Sequence, residues 1–324
     1  MFGAFGVSMT DKRWIVLFDK EMKPPWILSR QEFLKAGCSA AFLLATGAGS
    51  ACRKSDLKAL RVGLVSDTHY ADRDPAGIRF YRESLSKFQE CVERMNEEKV
   101  DLMIHIGDFK DEDAEPTEAR TLSFVRELES VYAQFNGPRY HVLGNHDIDS
   151  ISKKQFLEEV ENTGIGSSAS YYSFDKQDFH FIILDATFRK DGVAYDKGNF
   201  DWTDTFIPAD QLAWLEAELR ATEKPTIVFV HQLLDSEQTI EHQIKNAADV
   251  RTILEDSNKV LAVFQGHQHE GGHHLINSIH YYTLKAVVDY SGPENNSYSI
   301  LEIGANGDLM LKGYRRMSDL EMSI

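Results

Sequence analysis

Apolar runs rich in β-branched residues alternate with amphipathic segments beyond residue 59. Residues 60–66, 101–106 and 139–143 predict strands, and residues 79–99 and 117–132 carry apolar side chains at helical spacing. Strands and helices that alternate in this way are typical of βαβ units in a mainly parallel sheet. The pattern therefore predicts an α/β core.

The second half of the chain predicts a second sheet. Residues 171–174 and 179–185 open it as strands, and the polar, aromatic stretch 186–207 has little periodicity, which predicts a long loop near the functional site. The further predicted elements are helices at 152–163, 208–221 and 241–256, buried strands at 225–230 and 260–265, and antiparallel strands at 279–284, 298–303 and 308–312.

The predicted strands share one feature, which is that the apolar run ends in Asp, Asn or His. Asp67 and His69 would point to the same side of an extended backbone and could reach one metal ion. Glycine before Asp108, Asn145 and His267 allows the tight turns that bring side chains together. Strand ends are common positions for binding and catalysis. The residues at these strand ends are Asp67, His69, Asp108, Asn145, His146, His231, His267 and His269.

These residue types suit a metal site. Oxygen donors mixed with imidazoles favour Mn, Fe, Zn or Ni over Ca, and Asp108 is the natural carboxylate to bridge two ions. Isolated buried charges are costly, which favours ligation; for His231 a hydrogen-bonded core histidine is the alternative. Two cations a few ångströms apart would acidify a bridging water and so supply a hydroxide nucleophile. Cys91 alone lies beyond residue 52, which excludes a thiolate site.

The net charge limits the classes of partner that the chain is expected to bind. The chain has 35 Lys and Arg against 51 Asp and Glu, a net charge of −16. Such a chain repels nucleic acid, so no nucleic-acid partner is expected. A small anionic substrate is compatible with this charge only if bound metal reverses the local field.

Residues 1–52 predict an N-terminal extension with an export signal, followed by one domain at 53–324. A basic region at 22–35 precedes an apolar run at 36–49 that is too short to span a membrane. Residues 29–35 resemble the twin-arginine motif with Gln in place of the second Arg, and Gly-Ser-Ala-Cys ending at Cys52 is similar to a lipobox. We therefore expect a periplasmic protein or a lipoprotein anchored through Cys52, with Met22 as a candidate start; a mobile helix on a cytosolic protein is the alternative.

The order Asp-x-His, Gly-Asp-x-x-Asp, Gly-Asn-His-Asp, His and Gly-His-x-His, within residues 60–312, resembles the calcineurin-like metallophosphoesterases. The resemblance implies a four-layer αββα sandwich, with two mixed β-sheets flanked by helices and a dinuclear site of Mn, Fe or Zn at the strand ends. It implies that Asp67, His69, Asp108 and His269 hold one metal and that Asp108, Asn145, His231 and His267 hold the other. It places His146 near the leaving oxygen, with Asp147 as its orienting carboxylate and Asp111 as a supporting one.

Side motifs at 69–72, 79–85, 266–272 and 310–313 are similar to those of the manganese-dependent ADP-ribose/CDP-alcohol diphosphatases. This resemblance implies phosphoanhydride substrates and makes Tyr70, Arg79, Tyr81 and Arg82 candidate substrate contacts, with structural use of the tyrosines as the alternative. We expect hydrolysis of phosphodiesters or phosphoanhydrides by direct attack of a metal-bridging hydroxide. The alternatives are a phosphomonoesterase and a metal-stabilised binding protein without turnover.

Overall fold

The computed structural model describes residues 9–10, 13–14, 59–235 and 240–323. Near the N-terminus, strands β1 (Met9–Thr10) and β2 (Arg13–Trp14) pair antiparallel. The export signal and Cys52 lie outside the described residues, so export and lipidation stay predictions. None of the helices in the described ranges has the length and apolar character that crossing a membrane requires.

The first sheet combines three parallel strands with three antiparallel ones. The parallel strands are β3 (Leu60–Val65), β4 (Leu102–Ile106) and β5 (Arg139–Val142). Their residues are buried except for Arg61 and Arg139, because both faces of these strands are covered. The C-terminal strands β12 (Ser297–Ile303), β13 (Leu309–Arg315) and β14 (Leu320–Met322) extend the sheet, with β12 antiparallel to β3. The strand order is β14-β13-β12-β3-β4-β5.

Three helices cover this sheet: α1 (Glu83–Glu98), α2 (Glu118–Tyr132) and α3 (Lys153–Glu159). Phe88 of α1 and Leu128 of α2 are buried in one core with strand residues such as Met103. Helix α1 begins at Glu83, after residue 79 where it was predicted to start, because Arg79 instead forms a bridge with Asp289. That difference brings Arg79 to the edge of the site described below.

The second sheet has the order β10-β11-β9-β8-β7-β6. Its strands are β6 (Tyr172–Lys176), β7 (Phe179–Ile183), β8 (Thr226–Phe229), β9 (Val260–Gln265), β10 (Gly272–Ile276) and β11 (Ile279–Thr283). Helices α4 (Ala209–Ala221) and α5 (Ala247–Ser257) pack on it. The prediction that β11 belongs to an antiparallel set is wrong on one side, because β11 pairs parallel with β9 and antiparallel with β10.

The two sheets face each other between the two groups of helices. Tyr140 of β5 stacks on Phe174 of β6 with ring centroids 4.0 Å apart, and the Tyr172 hydroxyl donates to the His141 carbonyl at 2.8 Å. The predicted αββα sandwich with two mixed sheets is therefore confirmed. Because the parallel strands of both sheets end at the same edge, their polar endings can meet there.

Candidate dinuclear metal site

The predicted ligands follow five strands, β3, β4, β5, β8 and β9, and backbone hydrogen bonds join the ends of β3 and β4 and the ends of β8 and β9. Asp67 N donates to Gly107 O at 3.1 Å and His69 N donates to Asp108 O at 3.0 Å, which ties the loop after β3 to the loop after β4. Gly266 N donates to His231 O at 2.9 Å, which ties the ends of β8 and β9. These bonds place the predicted ligands in one volume although up to 202 positions separate them in the sequence.

The backbone under these side chains is strained. Asp67, His69, Asp108 and His267 all have positive φ, at 55°, 45°, 49° and 67°. Left-handed backbone is uncommon for residues other than glycine, and such strain clusters at functional sites. Asp67 and His69 therefore do not lie on the extended backbone that was predicted, yet their side chains still meet.

Close packing explains two of the glycines before these residues. A Cβ at Gly144 would overlap Asp108, and one at Gly266 would lie 2.7 Å from the Asp67 Oδ2. The chain at both positions is pressed against a carboxylate that belongs to the site. Only glycine permits this approach without moving that carboxylate.

Two groups of donor atoms lie side by side. Asp67, His69 and His269 form one, Asp108, His231 and His267 the other, and the ligand atoms within each group lie within 4.8 Å of one another. The Asp108 Oδ2 lies 3.4 Å from His69 Nε2 and 3.1 Å from His231 Nε2, so this carboxylate lies between the groups.

Three buried imidazole nitrogens make the donor set fit metal. The Nε2 atoms of His69, His231 and His267 form no hydrogen bond with the described residues, although a buried polar atom without a partner is costly. Coordination would satisfy each of them. The described residues therefore provide donors for two metal ions with Asp108 between them. Asn145, also buried here, adds an amide oxygen.

Hydrogen bonds at Nδ1 orient three of the imidazoles. Nδ1 of His69 lies 3.1 Å from Asp111 Oδ2, and Nδ1 of His269 lies 3.0 Å from Asp289 Oδ1. Nδ1 of His231 lies 2.7 Å from the carbonyl oxygen of Ile106. An acceptor at Nδ1 fixes the tautomer that leaves Nε2 free for a metal. Asp289 belongs to no motif in the sequence, and sequence reasoning missed it.

Carboxylates and imidazoles shift each other's pKa values in the metal-free site. Burial lowers the pKa of His69 and His231, but the Asp108 carboxylate reverses this and raises them to about 10 and about 9. Burial raises the pKa of Asp108, but His231 and His69 bring it well below its usual range. Metal binding to these imidazoles therefore competes with protons.

His146 lies at the rim of the site. Its ring centroid is 4.8 Å from that of His69 and 5.6 Å from that of Phe200, and 23% of its side chain is exposed. Its Nδ1 lies 3.6 Å from Asp111 Oδ2 and 3.8 Å from Asp149 Oδ2. The imidazole is thus accessible to a substrate, next to the donor groups.

The hydrogen bonds of Asp147 go to the backbone and not to the His146 ring, so the orienting role that the resemblance implies stays a prediction. The Asp147 carboxylate is buried and accepts hydrogen bonds from the backbone amides of Gly144 and Phe109, each at 2.8 Å. It joins the loop after β5 to the loop after β4, because adjacent side chains in this short helical turn point in different directions. Burial and the neighbouring Asp108 raise the pKa of Asp147 to about 6.

Of the four predicted substrate contacts, only Arg79 lines the cavity at the site. Tyr81 is buried in a small core, the Tyr70 hydroxyl donates to Glu127 at 2.6 Å, and Arg82 pairs with Asp72 and Asp74. These three side chains make contacts within the protein, and the substrate contacts of Tyr70, Tyr81 and Arg82 stay predictions.

The loop at 186–207 does reach the site, as predicted. The Trp202 ring lies 5.9 Å from that of His267 and 5.1 Å from that of His242, and Phe200 contacts His146. His242 was not predicted as part of the site. The aromatic residues in this loop, which otherwise has little periodicity, were the sequence signal that it lies beside the site.

Comparison with known proteins agrees with this geometry. The family model for calcineurin-like phosphoesterases matches residues 60–271. The manganese-dependent ADP-ribose/CDP-alcohol diphosphatase of Oryza sativa subsp. japonica is 24% identical over 302 residues, which cover 80% of this chain and 92% of that protein. The protein of the same name from Danio rerio is 23% identical, and the match covers 81% and 97% of the two chains.

Solved structures show the same fold. A dimetal phosphatase from Danio rerio superposes with a TM-score of 0.69 at 20% identity, covering 82% of this chain and 99% of that one. A purple acid phosphatase from yellow lupin superposes with a TM-score of 0.57 at 14% identity, covering 82% and 54%. The fold, the strand-end donors and the family match together show that this chain belongs to the calcineurin-like phosphoesterases and is a hydrolase of that family.

Proposed function

We propose that the chain hydrolyses phosphoanhydride or phosphodiester bonds with two metal ions, and that nucleoside-diphosphate-linked molecules are its substrates. The observation that carries this is the pair of donor groups around Asp108 with His146 at their rim. The relatives named as manganese-dependent diphosphatases support the substrate class and favour manganese, because they match over most of their length.

The metal ligands are assigned as the sequence suggested. Asp67, His69, Asp108 and His269 would hold one ion, and Asp108, Asn145, His231 and His267 the other. When bound, such ions acidify a water to make a nucleophile and neutralise phosphoryl oxygens. The ligand side chains other than His269 are buried, so the protein excludes bulk water from this charge.

His146 is the residue of this chain that acts on the leaving group. Asp111 and Asp149 face its Nδ1, which leaves Nε2 as the nitrogen available to a substrate oxygen. A donor at that position hydrogen-bonds or protonates the departing oxygen, a contribution worth about 10²–10⁴-fold in rate. Asp108 Oδ1 accepts from the His146 amide at 2.8 Å, so the backbone of the acid is tied to the central carboxylate.

The test uses the full-length chain, stripped of metal and reloaded separately with Mn, Zn or Fe. Initial rates are compared on ADP-ribose, CDP-choline, bis-p-nitrophenyl phosphate and p-nitrophenyl phosphate. We expect turnover of the diphosphates or the diester to exceed that of the monoester. Preference for the monoester would establish a phosphomonoesterase. The absence of turnover with any of the metals would refute the proposed hydrolytic activity.

His146→Ala separates catalysis from metal binding. We expect kcat to fall about 10²–10⁴-fold while bound metal, measured by elemental analysis, stays at the wild-type level. His180→Ala is the matched control, because His180 pairs with Asp175 through its Nδ1 at 2.7 Å and belongs to neither donor group. An unchanged kcat in His146→Ala would remove His146 from the reaction.

A further inference from the structure

A cavity of about 680 Å³ opens beside His267 and His269. Cavities of about 300–1,000 Å³ hold small-molecule ligands. This one is larger than a single phosphoryl group at the metals requires. Arg79, Lys285 and Arg316 line it, together with the ring of Tyr290 and the carboxyl groups of Glu270 and Asp289.

The three cations in this cavity have no carboxylate partner within ion-pair distance among the described residues. That is unusual in a chain with a net charge of −16. Exposed arginines elsewhere are paired, as Arg120 is with Asp113 and Arg315 is with Glu90. Of the two acids in the cavity, Asp289 is engaged with Nδ1 of His269. The cavity wall therefore carries a surplus of positive charge.

Contacts with backbone oxygens fix two of these cations. The Lys285 ammonium donates to the Arg316 carbonyl at 3.2 Å, and the Arg316 guanidinium donates through Nη2 to the Ala286 carbonyl. An ammonium and a guanidinium that are held in place in this way are suited to charge-assisted contacts with an oxyanion in the cavity.

The tyrosine beside them is also held in place. Tyr290 has φ of +61°, a strained value for a bulky residue, and its amide donates to the Ile78 carbonyl at 2.6 Å. The buried ammonium of Lys87 binds the carbonyls of Val287 and Asp289 at 3.0 and 3.1 Å and also that of Tyr290. The ring is 44% exposed, and the Arg316 Cζ lies 4.9 Å from its centroid.

We propose that Arg79, Lys285 and Arg316 form a subsite for the second phosphate of a diphosphate substrate. Metal ions held by the donor groups would neutralise the phosphate under attack. The second phosphate needs cations of its own, and Arg79, Lys285 and Arg316 supply them next to His269. Tyr290 packs against the group beyond that phosphate. The proposal rests on the proposed function and explains how a diphosphate is preferred over substrates with one phosphorus.

The test compares Lys285→Met and Arg316→Gln in the full-length, manganese-loaded protein. We expect kcat/KM for ADP-ribose to fall about tenfold or more in each, as for a lost charge-assisted contact, and kcat/KM for bis-p-nitrophenyl phosphate to stay within about twofold. Arg315→Gln is the matched control, since Arg315 pairs with Glu90 outside the cavity. If Arg316→Gln does not fold, Lys285→Met still tests the subsite by itself.

Calorimetry supplies a readout that does not depend on turnover. In the wild type, α,β-methylene-ADP should bind about tenfold or more tightly than AMP, and Lys285→Met should remove that difference. Suppose that the wild type cleaves ADP-ribose and that kcat/KM in the variants falls equally for ADP-ribose and for bis-p-nitrophenyl phosphate, or falls for neither. The subsite is then refuted, and the proposed function stands. If the wild type cleaves the diester but neither cleaves ADP-ribose nor prefers the methylene analogue, the diphosphate substrate and the subsite both fail.

Discussion

Replacing Asp147 distinguishes a structural carboxylate from a catalytic one. In Asp147→Ala, the backbone amides of Gly144 and Phe109 each lose an acceptor at 2.8 Å in a buried site. An unsatisfied buried donor costs about 1–3 kcal/mol, which gives about 2–6 kcal/mol for the two. Removing a buried carboxylate whose pKa is raised to about 6 returns part of that, so we expect a net loss of about 2–4 kcal/mol.

The assay is thermal unfolding of the metal-free, full-length protein followed by near-ultraviolet circular dichroism. A loss of about 2–4 kcal/mol corresponds to a fall in Tm of about 4–8 °C for a domain of this size. Asp147→Asn keeps one acceptor oxygen and should lose about half as much. Asp178→Ala, in the exposed turn between β6 and β7, is the control and should shift Tm by less than about 2 °C.

The opposite pattern would refute this reasoning. If Asp147 oriented the imidazole of His146, Asp147→Ala would unfold at the wild-type temperature and lose turnover as His146→Ala does. A Tm within about 2 °C of wild type together with a hundredfold fall in kcat would therefore establish the orienting role.

Three further predictions follow from buried charge and close packing. Lys110→Met leaves the buried Asp149 without its counter-ion and should cost about 3–5 kcal/mol in unfolding free energy; a cost below about 1 kcal/mol would contradict the pairing. Gly266→Ala should weaken manganese binding about tenfold or more in calorimetry, because the new Cβ would overlap Ser66 Oγ and lie 2.7 Å from Asp67 Oδ2, and wild-type affinity would argue against that contact. Burial lowers the pKa of His231, but neighbouring carboxylates raise it to about 9, so its protonated form stabilises the metal-free protein fully below about pH 6.5 and this contribution is lost as pH rises through about 9. Metal binding should tighten over the same window with proton release, and a metal affinity independent of pH from 6.5 to 9 would contradict it.

Local patterns predicted most of the fold. Strands β3, β4 and β9 are buried on both faces, so each reads as a continuous apolar run, and the helices between them read as amphipathic segments. Strands β10 and β14 were missed, because β10 carries two histidines and no buried residue and β14 has three residues. Short edge strands form by pairing with a neighbour, and the sequence of the strand alone does not show that neighbour.

The sequence by itself determined the chemistry of the site, because parallel strands end at a common edge and the type of residue at each end fixes which donors can meet there. Which residues support those donors was decided by tertiary structure. Asp289 reaches His269 from a segment without a motif, and Asp147 binds backbone amides, whose positions depend on how two loops meet. Arg79 and Arg316 come to one cavity from opposite ends of the domain. Contacts between such distant segments depend on packing in three dimensions, so local patterns identify the donors but not the groups that hold them in place.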